Sequence, residues 1–118
     1  MAAALIGCGK TLVPVVGTPV RVSVPPEIAG PAAHGLSGVH AILVGALSTN
    51  TGKVYIGVAG LDRVALTRVL VVLPIPTANL LPTFSISVSA AANALSLSDL
   101  WIDVDVAGEG VLVSAVVS

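Results

Sequence analysis

Four carboxylates lie close together late in the sequence: Asp99, Asp103, Asp105 and Glu109. Paired carboxylates can move protons in glycoside chemistry or hold calcium. Asp103 and Asp105 are two residues apart, so on an extended strand they share a face. Leu100, Ile102, Val104 and Val106 alternate with Asp99, Trp101, Asp103 and Asp105. That alternation reads first as a half-buried strand whose acidic side faces water. Calcium held by Asp103 and Asp105, or a polar contact between subunits, are the alternatives; the spacing is not that of an EF-hand loop.

The other chemistry-bearing residues assemble less. His34 sits in a Pro/Gly-rich stretch and His40 in an apolar run, where it reads as an interface or core histidine. Serine is abundant, but there is no G-x-S-x-G elbow to expose a nucleophile. Residues 4–11 read A-x-x-x-x-G-K-T, a relaxed phosphate-loop pattern, yet Pro14 follows at once where a helix would have to open. Leu5-Ile6-Gly7-Cys8 imitates a lipoprotein box, without the basic and long apolar lead that a signal peptide needs. No export signal is therefore expected. Cys8 is the sole cysteine, which leaves no intrachain disulfide and no zinc pattern. The expectation is a protein that is not an enzyme and needs no cofactor, with no metal beyond the weak pair Asp103 and Asp105.

Such residues must be positioned by a scaffold, and composition narrows which. The chain has 118 residues, enough for one domain. It carries 5 Lys+Arg against 6 Asp+Glu, for a net charge of -1. That excludes an electrostatic nucleic-acid binder. Apolar residues make up 55% and charged residues 9%, which excludes a disordered chain and leaves too little charge to cover the surface. A membrane protein or a subunit with buried outer faces would fit. A spanning helix needs about 20 apolar residues, and the runs at 39–47 and 69–73 are too short. The subunit reading remains, because homo-oligomer interfaces are more apolar than ordinary surface.

The elements read as strands, rich in valine and broken by Gly, Pro and Ser. Strands are expected at 11–16 and 19–24, then a loop over 25–38. A strand apolar on both faces follows at 39–47, so it should be central or doubly covered. Residues 48–52 read as a hairpin turn, with 53–58 returning as the paired strand. Further strands fall at 64–73, at 83–89 with Phe84, Ile86 and Val88 inward, at 99–106, and at 111–117. Residues 90–97 could make a short helical turn. About eight short strands at roughly ten-residue spacing predict an all-β chain, a single antiparallel β-sandwich of jelly-roll-like form. The expected organisation is an apolar N-terminal arm over 1–10 and one sandwich domain over 11–118.

Two stretches carry a resemblance. Residues 46–57 read A-L-x-x-N-T-G-x-h-Y-h-G, with h apolar, and residues 97–111 read L-x-D-h-a-h-D-h-D-x-x-G-E-G-V, with a aromatic. With the G-T-P-V-R-V-S strand at 17–23, they resemble small β-rich structural proteins of tailed-bacteriophage virions. The resemblance covers roughly a third of the chain; residues 66–81 are longer and more apolar than the family pattern. It implies a capsid decoration or cement subunit, located in the virion after assembly in the host cytoplasm. Its partners would be its own copies, as a trimer or larger homo-oligomer, and the major capsid protein or other virion proteins, with no nucleic acid and no membrane. Leu5, Ile6, His40 and Trp101 are the expected interface residues. A tail, collar or head-fibre component is the alternative within the class; a ligand- or sugar-binding β-sandwich module is the alternative outside it.

Overall fold

The computed structural model describes residues 4–22, 39–87 and 100–117. They form eight strands: β1 (Ala4–Leu12), β2 (Val20–Arg21), β3 (Val39–Ala46), β4 (Val54–Asp62), β5 (Thr67–Leu73), β6 (Thr83–Ser87), β7 (Trp101–Val104) and β8 (Gly110–Val117). Two antiparallel four-stranded sheets stack as a sandwich. The first has the order β1-β8-β3-β6 and the second β2-β7-β4-β5. The pairing is nested. β4 pairs with β5, β3 with β6, β2 with β7 and β1 with β8. A long hairpin folded over itself in this way is a jelly roll, so the expected fold class holds.

Period-two alternation builds the core between the sheets. Ile42, Val44 and Ala46 of β3 and Val111, Val113 and Ala115 of β8 point inward from the first sheet. Val54 and Ile56 of β4, Leu73 of β5, and Ile102 and Val104 of β7 meet them from the second. Truncating a wholly buried residue such as Ile56 to alanine would cost about 2–5 kcal/mol.

Several boundaries differ from the sequence reading. The expected arm is part of the sandwich: residues 4–10 belong to β1, in register with β8 from Ala4↔Val117 onward. A bulge between Gly7 and Gly9 resets the alternation there, which hid the strand. β1 then ends at Leu12, and residues 13–19 turn toward β2.

The 48–52 segment is not a hairpin between paired strands, because β3 and β4 lie in different sheets. It carries the chain across the sandwich. Residues 63–66 form the true hairpin turn, between β4 and β5. The expected loop at 25–38 and helical turn at 90–97 lie outside the described residues.

Phe84 and Ile86 of β6 turn toward the core side while Thr83 and Ser85 face out, as their alternation predicts. β3 is interior to its sheet, between β8 and β6, but its outer face is open at Leu43.

Candidate functional site

The two motif stretches meet each other. Asn50 Nδ2 donates to the Gly110 carbonyl at 2.8 Å. Glu109 accepts from the Thr51 amide at 2.6 Å, the Thr51 hydroxyl at 2.9 Å and the Gly52 amide at 2.9 Å. Burial works against the Glu109 charge, but these donors outweigh it and hold its carboxyl below the ordinary glutamate range. Gly110 must be glycine, since a Cβ there would collide with the Thr11 carbonyl oxygen. The N-T-G and G-E-G residues thus form a clasp between two loops at one end of the sandwich. Their chemistry is spent on the fold.

The acidic strand face is not a wet one. Asp103 is only 1% exposed. Its Oδ1 accepts from the Gly17 amide at 3.1 Å and the Val104 amide at 2.8 Å. Asp105 accepts from Arg63 Nη1 at 3.1 Å and from the Tyr55 hydroxyl at 3.4 Å. Burial, reinforced by Asp105, pushes the Tyr55 phenol up. Arg63 Nε stands 3.9 Å from Asp103 Oδ2, an ion pair too long for a hydrogen bond. That Nε is buried and makes no hydrogen bond.

The expectation of a solvated face is therefore corrected for Asp103. The strand alternation was right, but the turn at 63–66 and the turn at 13–19 fold over this side of the second sheet and roof it. Asp99 lies outside the described residues. Among the described residues no group of three or more His, Cys, Asp or Glu is placed to hold a metal.

A polar cleft of about 350 Å³ opens beside this network, lined by Gly17, Gly60, Leu61, Asp62, Arg63, Val64 and Asp103. Its carboxylates already have partners. Asp62 Oδ1 accepts from the Val64 amide at 2.9 Å and the Ala65 amide at 3.1 Å, which cap the turn. The Ala65 amide, then that of Val64, holds the Asp62 carboxyl below its ordinary range.

The outer side of the first sheet is the opposite case. Leu12 of β1, Leu112 of β8 and Leu43 of β3 are 44%, 55% and 47% exposed. Between β8, β3 and β6 runs an apolar groove of about 350 Å³, lined by Leu43, Gly45, Ala46, Leu47, Ser48, Leu81, Thr83, Leu112 and Ser114. A shallower hollow of about 160 Å³ extends it past Ala41, Ser85 and Val116. No helix among the described residues is long and apolar enough to cross a membrane.

The expected interface residues fall on both sheets, Leu5, Ile6 and His40 at one end of the first, on strands flanking β8, and Trp101 on the second. Leu5 and Ile6 lie on β1, opposite Val116 and Ala115, and His40 lies on β3; the roles expected of their side chains fall outside what is described. Trp101 is on the second sheet, half-buried, with the Arg21 guanidinium 5.2 Å from its ring centre. A cation over the ring already occupies that face. The exposed leucines at 43 and 112 were not singled out from sequence. Their signal was present: a strand apolar on both faces has one face to spare.

Fold and surface together define a small jelly-roll β-sandwich with an apolar groove on the outer side of its first sheet. No protein-family model matches the chain, and no curated protein is significantly similar to it.

Proposed function

We propose that the protein is a virion structural subunit of a tailed bacteriophage, a capsid decoration or cement protein that binds the shell and its own copies. The observation that carries this reading is the open outer side of the first sheet, where exposed leucines flank a groove without acidic side chains. A soluble monomer rarely leaves such a patch uncovered. A jelly roll is a fold that capsid proteins use, and fold alone does not assign function. The sequence resemblance over residues 46–57 and 97–111 adds to the reading. Repeated weak contacts on a lattice gain strength by avidity.

The ligand-binding alternative would use the polar cleft beside Arg63, but Asp62 and Asp103 are already engaged there by backbone amides. Imaging of phage particles assembled with and without the chain tests the proposal. Extra density at regular positions on the capsid is expected. Density confined to the tail or collar would favour the alternative virion position, and none at all would overturn the reading.

A further inference from the structure

We infer that the 63–66 turn of one copy seats in the apolar groove on the first sheet of another, so that identical subunits associate head to tail. This deepens the self-association half of the reading above and rests on it.

The turn supplies a knob. Val64 is 80% exposed and Leu66 58%, and Leu66 holds a φ of 58°. The turn is fixed from both sides, by the Asp62 carboxylate on two of its amides and by Arg63 on Asp105. An apolar tip ordered in advance loses little freedom on docking.

The groove supplies the matching hollow, walled by Leu43, Leu47, Leu81 and Leu112. The copy's own turn cannot fill it. Arg63 reaches Asp103 and Asp105 across the outer side of the second sheet, so the turn lies over that side. The whole sandwich then separates it from the groove. Two grooves set face to face would enclose a void and forfeit contacts, whereas a knob fills the space.

Charge selects the same pairing. Lys10 is exposed on β1 and in register with Leu112 at the groove wall. Asp62 is exposed at the foot of the knob. In the orientation that sets the start of the turn toward β1, seating Val64 and Leu66 beside Leu112 pairs Asp62 with Lys10, a complementary match. The contact is heterologous, so it does not stop at two copies; it closes into a ring or continues as a filament.

Sedimentation velocity of the full chain at tens of micromolar tests this. The unaltered chain should sediment as a species larger than a dimer. Leu66→Asp spoils the knob at a φ that aspartate tolerates, and Leu112→Asp spoils the groove. Each alone should give a monomer with an unchanged melting transition. Their equimolar mixture should give a one-to-one pair, because one intact knob then meets one intact groove.

A mixture that stays monomeric, or single variants that assemble normally, would overturn the pairing and leave self-association standing. A monomeric unaltered chain would overturn both. Should either variant fail to fold, chains carrying Leu66→Cys and Leu112→Cys, each with Cys8→Ala, provide the second readout. They should cross-link when mixed and not when separate; no cross-link sinks the pairing. Lys10→Glu should weaken association several-fold, and Asp62→Asn should remove that sensitivity. Additive effects of the two changes would count against the docked geometry.

Discussion

The outer sides of the two sheets follow opposite rules. On the second sheet the polar side chains of Asp103 and Tyr55 point outward, yet they are buried there beneath two turns. On the first sheet Leu12, Leu43 and Leu112 point outward and stand in water. The second sheet's polar groups tolerate burial because amides, Arg63 and one another satisfy most of their hydrogen bonds. The first sheet's leucines have nothing comparable over them among the described residues. The polar side is therefore satisfied within one copy, and the leucines of the other side are left exposed by the described residues.

Removing Asp103 tests the roof with the largest expected effect. Asp103→Ala leaves the Gly17 amide and part of Arg63 without their carboxylate. A loss of about 3 kcal/mol is expected, or roughly 12 °C in Tm at about 4 °C per kcal/mol for this length. Calorimetry giving under about 1 kcal/mol would return Asp103 to the solvated role first read from its alternation.

Gly57→Ala comes next. A Cβ at Gly57 would collide with the Arg68 carbonyl oxygen, where the β4–β5 register shifts just before the hairpin that carries Arg63. About 2 kcal/mol of destabilisation is expected in urea unfolding. No change would mean that the hairpin shifts freely and the roof is not fixed.

The Glu109 clasp at the end of the sandwich should be worth about 1–2 kcal/mol. Its folded-state pKa lies below the ordinary value, so this stabilisation is present at neutral pH. It disappears as pH falls through the ordinary range and then through the folded-state pKa. Glu109→Gln should flatten the acid limb of a Tm-against-pH curve; an unchanged limb would assign the acid loss elsewhere.

The smallest effect belongs to the open side. Leu43→Ser with Leu112→Ser should change the stability of the dispersed chain by no more than about 0.5 kcal/mol while raising its solubility. A melting loss comparable to that of Asp103→Ala would erase the contrast between the two sides.

The sandwich was legible because alternation survives in most strands. Ile102 and Val104 against Asp103 and Asp105, or Phe84 and Ile86 against Thr83 and Ser85, mark their elements locally. β1 was misjudged because a bulge around Cys8 breaks the period. The 48–52 segment was misjudged because turn chemistry does not say which strands it joins. Asn50, Thr51 and Gly52 are bonded to Glu109 and Gly110, far away in sequence. Asp103 was misplaced for the same reason: its partner amide, at Gly17, comes from the start of the chain. The open face was half visible, since β3 was read as apolar on both sides. Alternation alone cannot tell a face covered by the same copy from one left for another.

β8 lies between β1 and β3, which do not touch each other within the first sheet. That places a clock on the fold. The β4–β5 hairpin joins neighbours in sequence and can close early, on the microsecond scale of hairpins. The β1–β8 ladder spans nearly the whole chain and must close late, and nested long-range pairing of this kind makes for folding in about milliseconds to seconds. Pulse-labelled hydrogen exchange should find amides of β4 and β5 protected before those of β1. Until β8 arrives, the groove lacks the wall that Leu112 and Ser114 supply. A half-made subunit therefore lacks the complete groove, and under the proposed pairing of copies, association would wait on completed folding.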